Sequence, residues 1–262
     1  MNKGKVYLIG VGPGDPELLT LKAVRILAKV DIVLIDSLVE HSIRHFLRPQ
    51  AQVIEVGKRG GQPSTDQAEI NQMLVEYARQ GLLVARVKGG DPFIFGRGGE
   101  ELAVLNDAEI ETEVLGGLTA GIALPGNLQV PLTHRDLAKG VSFISGCNKT
   151  FDNDYQWHEL ISLNHTLVIY MGLNKVQDIA DPLIASGMAR GTPAMAVQDG
   201  SLATEKAVFA PLLHLARAIK QEQLQSPTLI VIGEVVALSP HWDEENIAQA
   251  LYGANILVEA AR

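Results

Sequence analysis

Short apolar runs closed by glycine recur along the chain, and their spacing predicts its architecture. Residues 5–9, 31–35, 52–56, 82–87 and 111–115 are brief strand-like runs. The run 82–87 is mostly apolar and partly β-branched, which predicts a strand covered on both faces. Between them, apolar residues recur at helical spacing over 20–28 and 98–105, and from Asp66 as N-cap through Ile70, Leu74 and Tyr77 up to Gly81. Strand, glycine turn and helix in alternation predict an α/β fold. The second half repeats the theme with four strand-like runs at 141–145, 166–170, 194–197 and 228–232, and a helical pattern at 244–251 near the end. The expectation is two α/β domains, 1–116 and 117–262, each a mixed or mostly parallel sheet with flanking helices. Gly116-Gly117 marks the boundary between them.

Candidate chemistry gathers where strands end. The stretch from Val87 to Glu101 carries five glycines, charges of both signs and two phenylalanines directly after a strand. Glycines at that density allow a ligand to approach the backbone, and the carboxyl ends of strands are where open α/β sheets bind ligands. The first such turn, Gly10-Val11-Gly12-Pro13-Gly14-Asp15-Pro16, fails as a dinucleotide fingerprint because Asp15 stands where the third glycine is required. A carboxylate there opposes a pyrophosphate at the helix amides, so a cofactor without phosphates fits better. Asp36 follows the second strand and is open to three roles: a ribose ligand, a general base or a plain cap. Lys58-Arg59 sits among glycines after the third strand, and Thr119 can cap the helix that begins near it.

Composition narrows the function classes. The 262 residues are 47% hydrophobic and 20% charged, as expected for a soluble chain, and no apolar run reaches the ~20 residues of a membrane span. A net charge of −8 argues against a broad nucleic-acid-binding surface. One cysteine, Cys147, and histidines without ligand spacing indicate no disulfide framework and no metal. The start shows no cleavable signal pattern, so the expected location is cytoplasmic.

Several of these stretches resemble one family in order and over most of the chain, from about Lys5 to Val236. They are Val11-Gly12-Pro13-Gly14-Asp15-Pro16-Glu17-Leu18-Leu19-Thr20, Val56-Gly57-Lys58-Arg59, Lys88 through Glu101, Pro131-Leu132-Thr133-His134-Arg135 and Tyr170-Met171-Gly172-Leu173. The chain thus resembles the uroporphyrinogen-III C-methyltransferases of the tetrapyrrole methylase family. The resemblance implies two α/β domains with S-adenosylmethionine in the cleft between them, usually in a homodimer. It implies cofactor contacts at Pro13, Gly89, Gly90, Asp91, Ile94, Thr119, Ala120, Met171 and Gly200. Asp36 corresponds to a proton acceptor and Lys58 to a proton donor, while Arg97 and Glu100 match residues linked to tetrapyrrole binding or proton handling. The chain departs from the family at Gly116, usually proline, and at Asn127, commonly tyrosine. The implied reaction methylates uroporphyrinogen III at C-2 and C-7 to give precorrin-2, for siroheme, cobalamin or another modified haem. An extra N-terminal module is not expected, which makes the activity single. The rival readings are a methylase of the same fold acting on a later corrinoid, a nucleotide-dependent oxidoreductase using NAD, and a non-catalytic S-adenosylmethionine-binding protein.

Overall fold

The computed structural model describes residues 4–37, 39, 41–57, 65–147 and 157–243, and the chain divides into two units, Met1–Ala120 and Gly121–Arg262. Lys58 and the predicted helix at 244–251 lie outside the described residues.

In the first unit, strands β1 (Lys5–Gly10), β2 (Ile32–Ile35), β3 (Gln52–Glu55), β4 (Leu83–Lys88) and β5 (Glu111–Leu115) form one parallel sheet in the order β3-β2-β4-β1-β5. Helices α1 (Leu21–Leu27), α2 (Gln67–Arg79) and α3 (Gly98–Asp107) connect them. Alternation along the central strands β1, β2 and β4 explains why apolar residues face both sides of the sheet. Val6, Leu8, Leu34 and Val84 pack with Ile70, Leu74 and Ala78 of α2 and Leu105 of α3, whereas Ile9, Val33, Ile35, Ala85 and Val87 pack with Ala23 and Leu27 of α1. A side chain at an even position of β4 therefore lies under α2 and α3. Thr20 caps α1, its Oγ1 accepting from the Ala23 N–H at 3.2 Å. Asp66 holds the N-cap position of α2 without a side-chain capping bond.

The second unit carries α4 (Ala120–Asn127, whose first residue belongs to the first unit), β6 (Gly140–Ser145), α5 (Trp157–Ser162), β7 (His165–Tyr170), α6 (Val176–Ala185), β8 (Pro193–Gln198), β9 (Lys206–Pro211), α7 (Leu212–Gln221) and β10 (Thr228–Ile232). Its sheet runs β6-β7-β10-β8-β9 and is mixed: β6 and β7 are parallel, and the remaining pairs antiparallel. Helices α5, α6 and α7 cover one face, built on Leu167, Ile169, Ala194, Ala196, Ile230 and Ile232. The sequence reading expected four strands here, and β9 is the addition. It is an edge strand with exposed Lys206 and Ala207 and a terminal proline, features that weaken a strand pattern but suit an edge.

Candidate functional site

Three strand ends of the first unit are pinned together by glycine. Gly12 and Gly90 exchange backbone hydrogen bonds at 3.2 and 2.7 Å, and both adopt positive φ, 80° and 71°. A Cβ on Gly10 would stand 2.5 Å from the Gly90 carbonyl oxygen, and one on Gly117 would collide with the same atom. Gly10 and Gly117 provide clearance between backbones, and Gly12 and Gly90 supply the left-handed φ of the turn.

The loop after β4 is fastened by its own polar groups. Asp91 accepts from the Phe93 N–H at 2.8 Å and, through its other oxygen, from the Gly117 N–H at 3.1 Å. Its carboxylate thereby ties the β4 loop to the chain leaving β5. Gly90 in turn faces the Cα of Thr119 at 3.7 Å and the amide of Ala120 at 3.9 Å from where its Cβ would be. The structure thus brings together Gly90, Asp91, Thr119 and Ala120, with Gly89 exposed beside them. Ile94 is half-buried further along the loop, between exposed Phe93 and Phe95. Phe95 and Arg97 both hold left-handed φ, 53° and 59°, which non-glycine residues adopt only where their surroundings impose it.

Pro13 sits half-buried in the first glycine loop, whose Asp15 Oδ1 accepts from the Glu17 N–H at 2.8 Å and caps a single 3-10 turn. A carboxylate already occupies the amide end that a phosphate would need. Val11, Gly12, Gly14, Pro16, Leu19, Val39 and Ile43 line a shallow, mostly apolar recess beside it.

Beneath α2 and α3 lies a cluster of charges at the carboxyl end of the sheet. Arg86 is buried at the middle of β4, and its guanidinium reaches both acidic neighbours: Nε donates to Glu101 Oε1 at 2.9 Å and Nη2 to Asp36 Oδ1 at 2.5 Å. Nη1 points to the carbonyls of Leu34 and Val87, each at 3.4 Å. Lys88 Nζ donates to Glu101 Oε1 at 3.0 Å and stands 3.8 Å from Asp36 Oδ2. Gln67 Nε2 from α2 also donates to Glu101 Oε1, at 3.1 Å. Glu101 is 0% exposed, and among the described residues its Oε2 accepts no hydrogen bond. Burial pushes the Lys88 ammonium below the ordinary lysine range; the Arg86 charge adds to this, and Glu101 and Asp36 oppose it.

Of this cluster, sequence reasoning selected Asp36 and missed Arg86, Lys88 and Glu101. The available signal was a pair of cations at alternate positions of a strand that is otherwise covered on both faces. Arg97 and Glu100 lie outside the cluster, in an exposed ion pair on the first turn of α3 at 2.6 Å. The pair raises the pKa of Arg97 and holds the Glu100 carboxyl below its usual range.

In the second unit, Met171 follows β7 with φ 55° and is 49% exposed. Beside it, the Gly121 N–H donates to Tyr170 Oη at 2.7 Å, and Phe143 meets the Tyr170 ring edge-on at 6.0 Å. Gly200 is buried after β8, where a Cβ would strike the Leu124 side chain of α4. No group of three or more potential metal ligands occurs among the described residues, and none of their helices is long and apolar enough to cross a membrane.

Residues 5–216 match the family described as Tetrapyrrole (Corrin/Porphyrin) Methylases. The chain belongs to the tetrapyrrole methylase family. It is 45% identical over 235 residues to a siroheme synthase of Hahella chejuensis, covering 90% of this chain and 50% of that one. It is 43% identical over 241 residues to the chloroplastic S-adenosyl-L-methionine-dependent uroporphyrinogen III methyltransferase of Arabidopsis thaliana, covering 91% and 65%. The chain therefore spans between half and two thirds of the length of these two curated relatives. Among solved structures, the uroporphyrin-III C-methyltransferase of Thermus thermophilus complexed with S-adenosylhomocysteine superposes with a TM-score of 0.75 at 36% identity, covering 89% of this chain and 94% of that one. The sequence predicts two α/β domains with mixed or mostly parallel sheets; the first sheet is parallel and the second mixed, and this α/β arrangement is that of the tetrapyrrole methylases. The polar groups fit a methyl donor of this family better than a dinucleotide. The Asp15 cap disfavours a diphosphate at the first glycine loop, and a methyl donor that bears no phosphate escapes that conflict.

Proposed function

We propose that the protein methylates uroporphyrinogen III at C-2 and then C-7, using S-adenosylmethionine and giving precorrin-2 through precorrin-1. The observation that carries this reading is Asp36, a half-buried carboxylate held at the carboxyl end of β2 in a chain that resembles a named uroporphyrinogen III methyltransferase. S-adenosylmethionine, when bound, supplies an electrophilic methyl group on a cationic sulfur.

Methylation of a pyrrole carbon leaves a cationic macrocycle that must lose a proton, and Asp36 is the carboxylate we assign to accept it. Lys58 is the matching proton donor or a partner for a substrate carboxylate. The substrate bears eight carboxylates, and the Arg97 guanidinium suits a bidentate grip on one, with Glu100 as its partner in the free protein. Pro13, Gly89, Gly90, Asp91, Ile94, Thr119 and Ala120 from the first unit, with Met171 and Gly200 from the second, are proposed to hold the cofactor. Their work is alignment, since reactions of this kind gain chiefly from fixing the reacting atoms at ~3–3.5 Å. A homodimer is the assembly that the family resemblance supports.

Calorimetry with S-adenosylhomocysteine and with NAD, together with methyl incorporation into uroporphyrinogen III, tests the reading. Binding of the first ligand with methyl incorporation supports it, and NAD binding without either would remove it.

A further inference from the structure

We propose that Arg86, braced by the buried Glu101, is a positioning residue that fixes the Asp36 carboxylate for proton removal. The proposal rests on the reading of Asp36 as the proton acceptor.

Position 86 is expensive for a cation. Val84, Ala85 and Val87 around it are fully buried, and an apolar residue there would fill the space beneath α2 and α3 without desolvating a charge. The guanidinium is instead used in every direction: Glu101 on one side, the carbonyls of Leu34 on β2 and of Val87 on its own strand, and Asp36 on the other side. The register explains the reach. Arg86 lies opposite Leu34 in the parallel β2–β4 pair, so its fork extends past Leu34 to the residue two positions on, where Asp36 leaves the strand.

The two carboxylates differ in burial, and this gives the cluster a direction. Glu101 is sealed behind the sheet at 0% side-chain exposure, whereas Asp36 is 29% exposed and is the carboxylate that can meet a substrate. Glu101 binds Arg86 and Lys88 at once through one oxygen, which keeps both cations under the helices. Arg86 then holds Asp36 from behind. A carboxylate at a strand end otherwise rotates freely about its side-chain bonds, and a planar guanidinium removes that freedom in a way that a point charge does not.

The test is a mutant cycle on the full chain, measuring kcat and KM for uroporphyrinogen III and S-adenosylmethionine, melting temperature and S-adenosylhomocysteine affinity. Arg86→Lys keeps the buried charge but cannot reach both carboxylates. It is expected to lower kcat about ten- to a hundredfold with both KM values changing less than about threefold, within the reach of misplacing a general base. In an Asp36→Asn background the same change should cost less than about threefold, because there is no carboxylate left to position. Near-normal kcat in Arg86→Lys, with Asp36→Asn inactive, would overturn the positioning role and leave the assignment of Asp36 intact. A loss that multiplies in the double variant, with falling melting temperature and cofactor affinity, would also overturn it, as a structural role behaves that way. Normal turnover in Asp36→Asn would refute the proton-acceptor reading and the positioning role with it. If Arg86→Lys does not fold, Glu101→Gln carries the same cycle, and a kcat loss that is absent in the Asp36→Asn background supports the role while an undiminished one overturns it.

Discussion

Arg97 and Glu100 close a two-pronged ion pair on the first turn of α3, with Nε–Oε1 at 2.9 Å and Nη2–Oε2 at 2.6 Å, and both side chains are more than half exposed. An exposed pair of this kind adds little to stability. Arg97 can therefore exchange Glu100 for a substrate carboxylate at small cost to the fold. Arg97→Ala is expected to lower kcat/KM for the tetrapyrrole by roughly 10 to 150-fold, the range for a lost charge-assisted hydrogen bond, while S-adenosylhomocysteine affinity and melting temperature stay unchanged. Parallel loss of all three would mean that the pair serves only to hold the loop.

Two glycines should respond to alanine in opposite ways. A Cβ on Gly117 meets the backbone of Gly90 and Gly10, which cannot step aside without separating β1, β4 and β5. Gly117→Ala should cost ~1–3 kcal/mol or more, as overpacking does. Gly99, inside α3, has nothing within 4 Å of its added methyl. Gly99→Ala should stabilise by ~0.5–1 kcal/mol through helix propensity. Thermal melts of the two variants check the contrast.

Asp91 spends both carboxylate oxygens on backbone amides, at Phe93 and Gly117. Asn can replace one of those acceptors but offers an amide group to the other. Asp91→Asn should cost ~1–3 kcal/mol of stability and weaken S-adenosylhomocysteine binding together with it, because the β4 loop loses its tie to the chain beyond β5. Weakened binding with an unchanged melting temperature would assign Asp91 a direct contact instead.

Glu113 carries the clearest pH dependence. Lys22 and Lys5 hold its carboxyl down to about 2. A folded pKa below the unfolded value contributes stability above about pH 4.5, which fades as pH falls toward the folded value. The contribution is that of a surface network, at most ~1 kcal/mol. The melting-temperature gap between the protein and Glu113→Gln should be largest near neutrality and close by about pH 2. A gap that persists at that pH would place the effect in packing.

The first sheet was legible because its central strands β1, β2 and β4 are largely buried and read as short, mostly apolar runs, and because turn residues follow each strand. β9 was not, since an edge strand needs only one protected face and its Lys206, Ala207 and Pro211 read as loop. The candidate site divides in the same way. Asp36 stands out beside a strand end, whereas Arg86 and Lys88 sit inside an apolar run, and their meaning depends on Glu101 arriving from α3. Glycine number was legible and glycine purpose was not: Gly10 and Gly117 keep backbones apart from side chains, a requirement that only the closed sheet reveals.

The product of a single incubation tests the proposed reaction most directly. The purified protein, given uroporphyrinogen III and excess S-adenosylmethionine, should add two methyl groups to each macrocycle, at C-2 and C-7, with a monomethylated species rising first and then falling. An unmodified uroporphyrinogen III, recovered from protein that binds S-adenosylhomocysteine and methylates a later corrinoid, would contradict it.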